Sequence, residues 1–280
     1  MDRSLDDDGL RAGREPRWKT ENGIPQQSRH NRPSEESRTA YELRGREYHL
    51  NLPQSALLRD VGSFRTITAE SLRKHVYHSD KEGFRKDLRN LTDQRLIEIH
   101  PDSAGKSRYI SLTRTGKAVT EEHLRPNQAQ AVYSGIVKKR ELRHDAAIYE
   151  LYHKEAQHIT KSGGTPKRVV LDFELKKSIN RQVSQIQNLS PAEYERRRQE
   201  IADSHGLKIV EGKIQIPDLR VEYESREQEQ SKIDLECVTG HYKARQIAAK
   251  TAAGFKLYNQ DYRGRSAERG EDLVGEVISL

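Results

Sequence analysis

Apolar positions are unevenly spread along this chain, and their spacing divides it into four stretches. Residues 1–48 mix Arg, Asp, Glu, Gly, Pro, Ser and Gln with hardly any apolar residue, and acids alternate with bases without forming a face. Such a stretch cannot bury enough surface to offset chain entropy, and it predicts a disordered tail. Helical segments follow over 49–124. Leu57, Leu58 and Val61 predict a first helix that ends at Gly62. Thr68 is placed to cap a second helix carrying Leu72 and Val76, and Ser79 with Glu82 forms a capping box for a third. Phe84, Leu88 and Leu91 give that third helix one apolar stripe. Leu96 to Ile99 and Tyr109 to Leu112 have strand character and are joined through Asp102-Ser103-Ala104-Gly105-Lys106 as a hairpin.

A helix from Thr113 through Leu124 is ended by Pro126, which places a domain boundary between Arg125 and Gln130. A second domain is expected over 131–262. Leu142, Ala146, Tyr149, Tyr152, Ala156 and Ile159 predict a long amphipathic helix that stops before Ser162-Gly163-Gly164. Arg168 to Leu171 predicts a strand, and Leu175, Ile179, Val183 and Ile186 a helix. Ser190-Pro191-Ala192-Glu193 opens another helix with a capping box and proline at its first position. Two strands, Gly212 to Arg220 and Lys232 to Val238, precede a closing helix from Ala244 to Tyr258, and 263–280 is a flexible tail. The pattern predicts an α+β chain whose second half is an α/β core, a mixed sheet flanked by helices.

At 280 residues two small cores are expected. The net charge of +7 favours a polyanionic partner. A single cysteine, Cys237, excludes an internal disulfide and a zinc site built on several thiolates. No apolar run reaches bilayer length, and Met1-Asp2-Arg3-Ser4 lacks a signal-peptide pattern, so a cytoplasmic protein is expected. Nucleotide-binding loops and the Gly-x-Ser-x-Gly elbow are missing. His144, His153 and His158 are spaced so that only the first and last share a helix face, unlike the three-His cluster of a relaxase.

Two groups of residues carry chemistry. The third helix shows Arg85, Lys86, Arg89 and Asn90 opposite its apolar stripe, and the hairpin carries Lys106 and Arg108. Three helices and a hairpin describe a winged helix, in which the third helix enters the major groove and the wing meets the phosphates of DNA. The alternatives are a solvated basic face or a winged helix that binds protein. Asp218 and Glu236 lie on neighbouring apolar strands, where carboxylates are costly to desolvate unless a cation, typically a divalent metal, sits between them. The alternative is a strand entry at Pro217-Asp218 with Glu236 facing solvent.

Pro217-Asp218, then Asp234-Leu235-Glu236-Cys237-Val238 and a following helix, resemble the PD-(D/E)xK nuclease superfamily, the restriction-endonuclease-like fold, over residues 138–262. Tyr41-Glu42-Leu43-Arg44-Gly45-Arg46, Val61-Gly62-Ser63-Phe64-Arg65, Asp87-Leu88-Arg89-Asn90-Leu91 and Ile216-Pro217-Asp218-Leu219-Arg220-Val221 extend the resemblance. With them the chain is similar to proteins encoded beside relaxases on bacterial mobile elements, and to the replication-relaxation family, which joins a winged helix to a nuclease-like domain. The resemblance implies a Mg²⁺ ion held by Asp218 and Glu236, and a lysine two residues after Glu236 that orients or activates water. Val238 stands there and supplies neither charge nor hydrogen bond. Lys243 and Lys250 are candidate substitutes, His241 a candidate base and Asp145 a third carboxylate. The expected function is a DNA-binding accessory protein of plasmid or integrative-element mobilisation or replication, partnered by a relaxase and without efficient cleavage. The alternatives are a Mg²⁺-dependent endonuclease and a winged-helix transcription regulator.

Overall fold

The computed structural model describes residues 38–102, 105–136, 141–240, 242–259 and 278–279. Most of both expected tails, 1–48 and 263–280, lies outside the described residues, as does His241. The chain is a mixed α+β protein with several small sheets. Among the described residues no helix is long and apolar enough to cross a membrane.

Residues 39–48, assigned to the tail, belong instead to an antiparallel hairpin of β1 (Thr39–Leu43) and β2 (Arg46–Leu50). Its buried Leu43, Tyr48 and Leu50 are few, and period-two spacing over five residues is a weak signal in so polar a context. Helix α1 (Leu52–Phe64) is capped by Asn51, whose Oδ1 accepts from the Gln54 N–H at 2.8 Å, while Gln54 Oε1 accepts from the Asn51 N–H at 3.1 Å. The helix runs through Gly62 rather than ending there. A Cβ at that position would lie 2.9 Å from Val132 Cγ1, so the glycine permits close packing instead of a stop.

Strand β3 (Ile67–Thr68) leads into α2 (Ala69–His75), where Thr68 Oγ1 accepts from the Ser71 N–H at 3.0 Å, the expected cap. Helix α3 (Lys81–Asp93) buries Phe84, Leu88 and Leu91 as its stripe predicts. Its cap is Asp80, which accepts from the N–H groups of Glu82 and Gly83, and not Ser79, whose φ is 70°. β4 (Ile97–Pro101) and β5 (Arg108–Leu112) form the expected hairpin, and β5 also pairs with β3 in a three-stranded sheet. Helix α4 (Arg114–Val119) continues as a wider turn over Thr120–Leu124.

The expected boundary between Arg125 and Gln130 is stitched to the second half. Gln130, 2% exposed, accepts from the Val169 N–H and donates to the Val169 carbonyl, while Asn127 Nδ2 donates to the Lys167 carbonyl. Two amide side chains thus occupy the open edge of β6 (Thr165–Leu171), the outer strand of a five-stranded sheet. Helix α5 (Leu142–Lys161) precedes that strand; α6 (Asp172–Gln185) and α7 (Pro191–Ser204) follow. Ser190 Oγ accepts from the Glu193 N–H at 3.4 Å, the cap read from the sequence.

The segment from Gly212 to Arg220 is interrupted. β7 (Ile209–Val210) and β8 (Lys213–Ile214) make a separate hairpin, and β9 starts only at Leu219 (Leu219–Glu224), so Asp218 precedes its strand. β9 pairs with β10 (Gln230–Val238), with Leu219 opposite Leu235. Helix α8 (Ala244–Ala253) ends at Gly254, φ 89°, where a closing helix to Tyr258 was expected. The remainder is strand β11 (Lys256–Asn259), which lies parallel to β10 and carries β12 (Ile278–Ser279) on its far side.

The sheet, rather than the Arg125–Gln130 segment, divides the core. Leu57, Leu58, Phe64 and Leu112 from the first half join Tyr149, Leu219, Val221, Leu235, Cys237 and Tyr258 in one apolar cluster. Val170, Leu175, Ile179, Val238 and Leu257 form another on the opposite face, as strand alternation requires.

Candidate functional site

Two features meet where β9 begins and β10 ends. The first is the acidic pair. The Asp218 N–H donates to Glu236 Oε2 at 3.2 Å, and the Cys237 N–H donates to Asp218 Oδ2 at 2.9 Å, so each carboxylate accepts from the backbone beside the other. Glu236 is 1% exposed. Burial, followed by the neighbouring Asp218 charge, pushes its pKa up; the Lys250 ammonium and the Tyr242 hydroxyl oppose that rise. Lys250 Nζ lies 2.8 Å from Glu236 Oε1 and also donates to the Ile216 carbonyl at 2.7 Å. Tyr242 donates to the same Glu236 oxygen at 2.9 Å, and its own pKa is raised by burial and by both carboxylates.

On the other side, His144 Nε2 of α5 sits 3.5 Å from Asp218 Oδ1. Asp218 is the main reason that the His144 pKa is pushed up to about 11, so the ring is an imidazolium at neutral pH. Lys176, on the first turns of α6, adds a positive charge at the rim. Its pKa, lowered by burial, is raised on balance by its bond to Asp172 and by the charges of Asp218 and Glu236.

Of the expected companions, Lys250 reaches the pair. Lys243 is exposed at the start of α8, with its backbone N–H donating to Gln246 Oε1. Asp145 is turned away: it lines a separate cavity of about 20 Å³ with Arg65, Asp172 and Phe173, and burial raises its pKa to about 6. The neighbouring position on the helix, His144, makes the contact that Asp145 was expected to make. His144, Tyr242 and Lys176 were not assigned to the pair from the sequence. Successive helix positions differ by about 100° in direction, and only the docking of α5 on the sheet decides which faces Asp218. His153 and His158 lie elsewhere, stacked on His75 with centroids 3.8 Å apart and 3.8 Å from Glu155 respectively.

The second feature is a cleft of about 1860 Å³ between α2, α3 and the β4–β5 hairpin on one side and α5 on the other. Its lining includes Arg73 and Lys74 of α2, Lys81, Arg85 and Arg89 of α3, Lys106 and Arg108 of the hairpin, and Arg143 and Lys154 of α5. These nine cations face three acids, Glu70, Asp93 and Glu150. His144, Thr239 and Gly240 also line it, which brings the cleft to the acidic pair. Arg85, Arg89, Lys106 and Arg108 are all exposed.

The other two residues expected to meet DNA stand apart from this lining. Lys86 is exposed on α3. Asn90 is half-buried, and its Oδ1 accepts from Gln54 at 2.9 Å and from Gln94 at 2.7 Å. It belongs to the polar joint between α1 and α3, where the buried Asp87 accepts from Asn51, Gln54 and Tyr77.

The donor set of the acidic pair does not fit the divalent ion that the nuclease resemblance implies. Both Glu236 oxygens are engaged, one of them by an ammonium that also donates to the Ile216 carbonyl. Lys250 would have to withdraw before a hard cation could enter. Among the described residues no group of three or more His, Cys, Asp or Glu side chains is placed to hold a metal. Neither family models, characterised proteins nor solved structures give a match to this chain.

Proposed function

We propose that this is a DNA-binding protein built from a winged helix and a restriction-endonuclease-like domain whose acidic pair is neutralised internally. The single observation that carries the reading is the placement of Arg85, Arg89, Lys106 and Arg108, exposed on α3 and the hairpin, along one wall of the cleft. A helix supplying guanidinium groups and a hairpin supplying further cations match the division of labour in groove readers, where phosphate contacts fix register and base edges give sequence. A role beside a relaxase in plasmid or integrative-element mobilisation or replication is supported by the sequence segments that resemble such proteins.

Titration of the full chain onto labelled duplex in rising salt tests the reading. Every phosphate that a cation neutralises adds about 0.9 to the slope of log affinity against log salt, so Arg85→Ala with Arg89→Ala is expected to remove about two units. Binding that ignores salt and is unchanged in the double variant refutes it.

The rival reading, a Mg²⁺-dependent endonuclease, rests on the sequence resemblance and requires Lys250 to leave Glu236 and take the place of the missing lysine at Val238. Plasmid nicking that is lost in Asp218→Ala and with chelator would establish that activity.

A further inference from the structure

We infer that the cleft holds duplex DNA from two sides, with α5 supplying a second phosphate-binding wall through Arg143 and Lys154. This rests on the DNA-binding reading above and extends it to a helix outside the winged helix. Arg143, Ala147, Glu150, Lys154 and Gln157 line the cleft at spacings of three and four, which places them on one stripe of α5. Arg143 and Lys154 are eleven positions apart, about 16 Å along the axis at 1.5 Å per residue, enough to bracket a major groove about 12 Å wide.

The acid between them is already neutralised. Glu150 Oε2 lies 3.0 Å from Lys74 Nζ and 3.1 Å from His75 Nε2, and although burial opposes it, these bonds and one from Ser71 hold its pKa down to about 2. The wall thus offers charge to phosphates.

The lining also selects the form of the ligand. Sequence-tolerant binding of single strands uses exposed aromatic rings on which bases stack. The Phe and Tyr rings that line this cleft, Phe84 and Tyr109, are buried, and the His75 and His153 rings are stacked on each other. A wall of ammonium and guanidinium groups without a stacking platform fits the backbone of a duplex.

The test compares salt slopes for a labelled duplex and for one of its strands. Arg143→Ala with Lys154→Gln is expected to lower the duplex slope by about two units, at 0.9 per neutralised phosphate, as large an effect as Arg85→Ala with Arg89→Ala. Lys177→Ala with Arg181→Ala removes two charges from exposed positions of α6 outside the cleft and is expected to leave the slope unchanged. Because Lys154 also lies over the Tyr258 ring at 5.2 Å, Arg143→Lys with Lys154→Arg serves as the packing control and is expected to keep the wild-type slope. An unchanged slope in the α5 variant, alongside a reduced slope in the α3 variant, overturns the second wall and leaves the DNA-binding reading standing. Tighter binding of the single strand overturns the duplex assignment, and an equal reduction in the packing control overturns the phosphate role. No salt-dependent binding by wild type removes both readings.

Discussion

Glu236 shows how much one residue's meaning depends on its neighbours. Its presence beside Asp218 was legible in the sequence, because an acid in an apolar strand demands a partner, but the partner's identity was not. Lys250 arrives from α8, fourteen positions away in sequence, and no local pattern marks which of two lysines will fall over the strand end. The pair predicts a pH signature. Lys250→Met leaves a buried carboxylate without its counter-charge, which costs about 3–5 kcal/mol when the acid is ionised. The folded-state pKa of Glu236 is already above its ordinary 4.5, so the folded state binds the proton more tightly than the unfolded chain. Stability therefore falls as pH rises from 4.5 through the folded value, and removing the lysine widens that window. Thermal melts of Lys250→Met are expected to show a larger destabilisation at pH 8 than at pH 5, with recovery when Glu236→Gln is added. Equal destabilisation at both pH values, or no recovery, would show that the contact does not set the charge of Glu236. Arg85 and Asn90 make the same point: both sit on α3, yet the polar joint with Gln54 and Gln94 takes Asn90 out of the exposed set.

At the scale of elements, long periodic stripes were the easiest to read. Helix α3 and helix α5 are where their apolar repeats put them, and the caps Thr68 and Ser190 form as their side-chain chemistry requires. The hairpin of β1 and β2 and strand β11 were hidden for a common reason. A strand of four or five residues gives at most two or three alternations, too few to outweigh a polar context or an adjoining helical run. Pro126 and several polar residues describe a loop equally well whether it is free or stitched, so the sequence does not show the contacts this segment makes. Here Gln130 supplies what a further strand would supply, pairing both the N–H and the carbonyl of Val169. Gln130→Leu keeps the volume and strands both groups; each unsatisfied buried backbone group costs about 1–3 kcal/mol. A fall in the midpoint of urea unfolding is expected, together with faster amide exchange along β6. If exchange at Val169 stays as slow as in wild type, the side chain is not what closes that edge.

Across the whole molecule, the expectation of two sequence-local cores gives way to a different partition. Composition bounds how much apolar surface a chain can bury, but it says nothing about which residues share a cluster. The packing of α5 settles that. Tyr149 is fully buried, its ring lies edge-on to Phe64 with centroids 5.1 Å apart, and its hydroxyl donates to Asp60 Oδ2 at 2.5 Å. His75 of α2 stacks on His153 of α5. The first half therefore completes its core with a helix from the second, and Leu57, Phe64 and Tyr149 belong to one cluster. This sharing also forms the cleft, because α5 is at once the second wall of the basic groove and the carrier of His144 beside Asp218. A shared core predicts shared stability: calorimetry of the full chain is expected to give one cooperative transition, and Tyr149→Ala, which opens a cavity worth about 3–5 kcal/mol, is expected to move it as a unit. Two resolved transitions, with the variant shifting only one, would mean that the halves fold independently and that the cleft between them is not fixed by the core.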